Sequence, residues 1–198
     1  MTASIDLYFS CGSTYTYLTV MRLRQAEAEH GVHFQLHPFY LGILFQEMNR
    51  RPFLEEPQKT AYMWRDIARR AAWRGLTPTL PAPYPAVKAV QGNQIAWLAL
   101  REPWGRDYLE ASYRAWCERG RLPGEPDNIA ESFAAVGQNP DTVLTDAALK
   151  TAHEAVVQQT DAARKLGIFG SPTFVVGQEL FWGDDRLEDA VRWAKTPQ

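Results

Sequence analysis

Strand-like alternation occurs only near the two ends of this 198-residue chain, and the hundred or so residues between carry helical patterns and loops. Ser4–Ser10 alternates, with Ile5, Leu7 and Phe9 on one face and Asp6 and Tyr8 on the other, which predicts a strand. A Gly12-Ser13-Thr14 turn follows, with Ser13 or Thr14 able to cap a helix over Tyr15–His30 that Gly31 stops. Val32–Phe39 reads as a second strand, ended by Pro38 and a Leu41-Gly42 turn. This opening is a βαβ unit. A comparable mixture returns only after a helix over Thr151–Leu166. Pro172–Val176 and Glu179–Trp182 read as strands joined by Gly177-Gln178, a pair suited to a type II′ turn. A last helix is expected from Asp185, with Glu188 three residues on in capping-box spacing.

From 41 to 147 no strand is expected. Lys59–Arg74 carries Trp64, Ile67, Ala68 and Ala71 on one stripe before Gly75. Thr77–Pro85 holds four prolines and reads as extended. Helices follow at Val87–Arg101, Arg106–Arg119 and Ile129–Val136, the last with Asn128 and Glu131 in capping-box spacing. The resulting order, βαβ…αββα, is that of a thioredoxin-like α/β fold with a large all-helical insertion. Residues 1–40 plus 148–198 would form the thioredoxin-like domain, and 41–147 an insertion lying as a lid over the end of the first helix.

Bulk properties exclude several function classes. The formal charge of −2, with acids and bases interspersed, offers no basic field for nucleic acid or an anionic membrane. Neither a secretory leader nor a membrane-spanning run is visible, so a cytoplasmic location is expected. Cys11 and Cys117 are too few and too far apart for a disulfide framework. The four histidines show no metal-ligand spacing with them, so no metal site is expected.

Two segments carry the chemistry. In the first, Ser13 puts a hydroxyl at the start of a helix directly after a buried strand. Partial positive charge and unpaired N–H groups there favour an anion. In the second, Gly170-Ser171-Pro172 precedes a strand, a setting that suits a cis X-Pro turn with backbone groups open to an extended peptide. Each alone has an ordinary explanation, a helix cap and a trans proline.

Together they resemble a known family. The chain's DLYFSCGSTYTYL is similar to the D-F-Y-F-D-F-x-S-P-Y-S-Y-L opening of 2-hydroxychromene-2-carboxylate isomerases and kappa-class glutathione transferases, in the DsbA-like branch of the thioredoxin superfamily. Its GIFGSPTFVVGQELFWGDDRL resembles their G-V-F-G-V-P-T-F-V-V…F-W-G-x-D-R-L. PFYLG, the Asn49-Arg50-Arg51-Pro52 turn, Lys59 with Tyr62 and Asp66, and Tyr113–Trp116 add to the likeness.

The resemblance implies glutathione as cofactor and Ser13 as the catalytic hydroxyl on its sulfur. Ser171 and Pro172 would pair with the cysteinyl backbone, and Asp184, Asp185 and Arg186 would surround the γ-glutamyl end. Asn49 and Lys59 would lie near glutathione, with Tyr15, Lys59 and Lys88 on the substrate side. The implied activity is a glutathione-dependent isomerase of aromatic catabolism. The thiolate would add reversibly to an unsaturated carboxylate, in a cytoplasmic homodimer whose partner is a small-molecule substrate. A kappa-like transferase or peroxidase is the alternative, and a non-catalytic thioredoxin-fold binding module a second one. Ser10, Thr14 and Thr16 depart from the family's Asp, Pro and Ser, and Ala86-Val87 from its Asn after Pro85. C-x-x-C is absent at 13–16, so a dithiol cycle has no cysteines to run on.

Overall fold

The computed structural model describes residues 3–51, 53 and 56–196. Pro52, the end of the turn read from sequence, lies outside the described residues. Four strands form one mixed sheet in the order β2-β1-β3-β4: β1 (Ala3–Phe9), β2 (Val32–Pro38), β3 (Thr173–Val176) and β4 (Glu179–Trp182). β1 lies parallel to β2 with Ile5 opposite Phe34, and antiparallel to β3 with Leu7 opposite Phe174. β3 and β4 form the hairpin, with Gly177 at φ +62 as the first position of such a turn requires. This is a DsbA-like thioredoxin fold, with its opening strand in the interior of the sheet.

Alternation along β1 covers both faces. Ile5, Leu7 and Phe9 are fully buried in the larger core, while Tyr8 joins Phe39, Leu44, Ala163, Ile168 and Val175 on the opposite face. Each such fully buried apolar side chain contributes roughly 1.5–3 kcal/mol. The middle helices complete the larger core: Pro57–Trp73 supplies Met63, Ile67 and Ala71, Ala89–Ala99 supplies Ala96, and Gly105–Arg119 supplies Leu109, Tyr113 and Trp116. The insertion therefore shares one interior with the sheet. No helix of the described residues is long and apolar enough to cross a membrane.

Several local expectations are corrected. The helix expected over Tyr15–His30 is two, Thr14–Val20 and Leu23–His30, with Arg22 at φ −123, ψ 0 between them. There the Arg22 side chain reaches the Asp184 backbone oxygen at 2.6 Å and the Glu188 carboxylate, so a tertiary ion pair overrides helix propensity. Leu41-Gly42 is no strand-ending turn but opens a helix over Leu41–Glu47. The helix expected from Ile129 begins at Pro126, with proline in its first turn. Its supposed cap, Asn128, is buried and bonds Ser112 and the Arg121 carbonyl, while Glu131 pairs with Arg119 and Arg121. A short helix at Pro140–Val143 was not expected, and the long helix over Asp146–Lys165 starts earlier than Thr151 because Thr145 caps it. At the last helix the Asp185–Glu188 box does not form. A 3₁₀ turn over Asp184–Arg186 leads into Leu187–Ala194, and Glu188 is drawn away to Arg22.

Candidate active site

The site begins where β1 runs out. Ser13 closes the turn by donating its N–H to the Ser10 carbonyl at 2.9 Å, and the Tyr113 hydroxyl donates to the same oxygen at 3.0 Å. Ser13 stands at the N-cap position, yet its side chain makes no capping bond. Its hydroxyl instead donates to the Ser171 carbonyl at 2.7 Å, across 158 residues. The Ser171 hydroxyl accepts the Ser10 N–H at 2.8 Å and bonds Thr16 Oγ1 at 3.0 Å. The Ser171–Pro172 bond is cis, as the sequence pattern anticipates. The two segments singled out in the sequence thus meet in one hydroxyl cluster.

Close packing fixes that cluster. A Cβ on Gly170 would lie 2.2 Å from the Trp182 indole nitrogen, so only glycine lets the loop pass beneath that ring. A Cβ on Gly12 would lie 2.9 Å from Ala89 Cβ, which sets the start of the Ala89–Ala99 helix against the turn. On the other side Thr14 Oγ1 meets Met63 Sδ at 3.1 Å, and Trp64 packs edge-on to Tyr84. Cys11 points into the core. Burial pushes its thiol up to about 12, only partly countered by a backbone hydrogen bond. A thiol held so high is an inert core group.

A charged cluster lies beyond the cis-proline. The Gly183 N–H donates to the Pro172 carbonyl at 2.9 Å, which leads the chain into Asp184 and Asp185. Asp184, one of the three residues the resemblance places around the γ-glutamyl end, is 1% exposed, and its carboxylate is occupied by the protein's own groups. Its Oδ2 takes Arg74 at 2.7 Å, and its Oδ1 takes Thr19 at 3.1 Å with Arg22 Nε at 3.4 Å. Asp185 remains partly open, 3.5 Å from Arg186 and 3.7 Å from Arg70. Arg186 also donates to Asp189 at 3.0 Å.

The substrate-side residues divide. Tyr15, two residues past Ser13, donates its hydroxyl to Asp66 at 3.1 Å. Burial and the Asp66 charge both raise its phenol pKa, so it stays protonated. Asp66 also accepts from Arg69 at 3.1 Å and Arg70 at 2.9 Å. Burial alone would raise its carboxyl pKa, but those two guanidiniums hold it below the usual value. Lys59 is exposed, paired with Glu56 and 5.8 Å above the Phe53 ring. Lys88 pairs with Glu125 at 2.8 Å, and Asn49 sits exposed at φ +52 after the Leu41–Glu47 helix. Among the described residues no hydrogen bond or ion pair joins Asn49, Lys59 or Lys88 to the Ser13–Ser171 cluster. Sequence reasoning missed Arg22, Arg70 and Arg74. Only Arg70 left a signal, four residues after Asp66 on a helix.

The model of the DSBA-like thioredoxin domain matches residues 4–192, nearly the whole chain. The chain belongs to that family. Glutathione S-transferase kappa 1 of Caenorhabditis elegans is 25% identical over 207 residues, covering 98% of this chain and 92% of that protein. 2-hydroxychromene-2-carboxylate isomerase of Sphingobium xenophagum is 24% identical over 190 residues, covering 95% and 96%. A solved 2-hydroxychromene-2-carboxylate isomerase superposes with a TM-score of 0.81 at 24% identity, covering 94% and 91%. This DSBA-like protein thus has named relatives that are an isomerase and a glutathione transferase.

Proposed function

We propose that this DSBA-like protein is a glutathione-dependent isomerase of the 2-hydroxychromene-2-carboxylate isomerase type. The observation that carries the reading is the 2.7 Å bond from the Ser13 hydroxyl to the Ser171 carbonyl. Both groups suit a peptide thiol. A sulfur that takes the Ser13 hydrogen bond releases the Ser171 carbonyl to accept the amide of the same cysteinyl residue. One internal bond is exchanged for two to the ligand, a gain that a simple thiol without a peptide amide lacks. Asp185 supplies an acid for the ammonium end, in place of the occupied Asp184.

When bound, glutathione would supply a thiolate that adds reversibly to an unsaturated carboxylate substrate. The protein's part is to favour the ionised sulfur. A hydrogen bond to a charged group is worth about 1.5–3 kcal/mol, enough to bring a thiol pKa of ~8.5 down by about one to two units. The helix after Ser13 is short, so the aid comes from first-turn N–H groups, not from a long dipole. Trp64 and Tyr84, partly buried and packed edge-on, are the aromatic pair proposed to face a ring substrate. Lys59 and Lys88 are the cations proposed for the substrate carboxylate, each reaching it by leaving a surface ion pair worth about 0–1 kcal/mol. A cytoplasmic homodimer acting in aromatic catabolism belongs to the same reading.

The similarity to glutathione S-transferase kappa 1 favours a second reading, a transferase or peroxidase. Total reduced glutathione followed during turnover separates them: it stays constant for the isomerase and falls for the alternative. Absence of any thermal shift at millimolar glutathione would remove both and leave a binding module for some other ligand.

A further inference from the structure

We propose that Arg70, side by side with Asp185, forms the receptor for the zwitterionic amino-acid head of a γ-glutamyl thiol. The inference rests on the glutathione reading and adds a binding residue to it. An α-amino acid head carries its ammonium and carboxylate on one carbon, so it demands an acid and a base a few ångströms apart. Among the described residues, the turn after the cis-proline offers Asp185 as its partly open acid, since Asp184 is enclosed by Arg22, Arg74 and Thr19. Arg70 Nη2 lies 3.7 Å from Asp185 Oδ2, an ion-pair distance longer than a hydrogen bond. A ligand can therefore insert its own charges between them.

The guanidinium is also held in place before any ligand arrives. Its Nε donates to Asp66 Oδ2 at 2.9 Å, and Asp66 is itself buried and fixed by Arg69 and by the Tyr15 hydroxyl. Such anchoring reduces the side-chain entropy lost on binding. Tyr15 stands two residues from Ser13, and Gly183, two residues before Asp185, is tied to Pro172. The receptor is thus linked to both halves of the thiol cluster. Arg186, 3.5 Å from Asp185, is the rival base, but its other partner, Asp189, is partly exposed, so it lacks the buried anchor that holds Arg70.

Binding of three tripeptides tests the assignment: glutathione, γ-aminobutyryl-cysteinylglycine without the α-carboxylate, and glutaryl-cysteinylglycine without the α-amine. The wild type should prefer glutathione about tenfold or more over each, the scale of one charge-assisted hydrogen bond. Arg70→Met should lose the preference over the decarboxylated peptide and keep that over the deaminated one. Asp185→Asn should do the reverse. Arg69→Met, which removes a neighbouring bond to the same Asp66 carboxylate, should keep both. A merely structural role for Arg70 would weaken all three ligands alike, and that outcome overturns the proposal. Should Arg70→Met fail to fold, the wild type still decides: equal affinity for glutathione and the decarboxylated peptide removes Arg70 and leaves the glutathione reading standing. Binding of none of the three removes both.

Discussion

Around Ser13 the contacts are hydroxyls and backbone groups, whereas around Asp184 and Asp185 they are carboxylates and guanidiniums. The first set can be rearranged at little cost, because a hydroxyl hydrogen turns from one acceptor to another without exposing a charge. The second set is divided between two adjacent residues. Asp184 is enclosed by two arginines and a threonine, while Asp185 faces its partners at longer range. The difference leaves exchangeable bonds around Ser13 and fixed charges in the scaffold, with one open ion pair, Arg70 with Asp185, at their border.

Asp184→Ala should break this contrast most severely. It leaves Arg22 and Arg74 without their buried partner, and a loss of about 3 kcal/mol of unfolding free energy is expected in urea denaturation. An unchanged midpoint would show that the enclosed carboxylate is not what holds the turn. Ser13→Ala should change stability by less than about 1 kcal/mol yet raise the thiol pKa of bound glutathione by about one to two units. The sign follows from what the hydroxyl stabilises: without it the ionised sulfur is less favoured, so activity at neutral pH falls and recovers as pH rises. A thiolate absorbance titration that does not move would take Ser13 out of the site.

Ser171→Val tests the same cluster from its other side. It deprives the Ser10 N–H of its 2.8 Å acceptor and should destabilise the fold by about 1–2 kcal/mol, read as a lower melting temperature. Because the Ser171 carbonyl remains, glutathione binding should survive. The smallest effect is expected at Cys11. With its thiol pushed up to about 12, roughly one molecule in ten thousand is ionised at pH 8, so alkylation should await unfolding. Rapid modification of the folded protein would reopen a redox role.

Much of the fold was legible because its signals are local. Ile5, Leu7 and Phe9 alternate along one face of a strand, and all three are in the core. Gly170-Ser171-Pro172 before a strand suits a cis turn, and that turn stands opposite Ser13. What could not be read depends on distant partners. Arg22 leaves its helix for Asp184 and Glu188, more than 160 residues away, and nothing near Arg22 announces this. Asp184 and Asp185 look alike in sequence, and only the guanidiniums of Arg22 and Arg74 decide which one is enclosed. Ser13, Asn128 and the Asp185–Glu188 pair all fit capping patterns, but each side chain finds a tertiary acceptor or donor and leaves the cap unmade.

The position of β1 inside the sheet governs how the molecule can be assembled on the ribosome. Its partner on one side follows within thirty residues or so, but the strand on the other side, beginning at Thr173, emerges only after the whole insertion. Until then the nascent chain exposes an open edge beside Ser13, and the hydroxyl cluster has only one of its two halves. Closing it requires pairing Asp6 with Val175 across most of the chain, a long-range contact of the kind that slows folding.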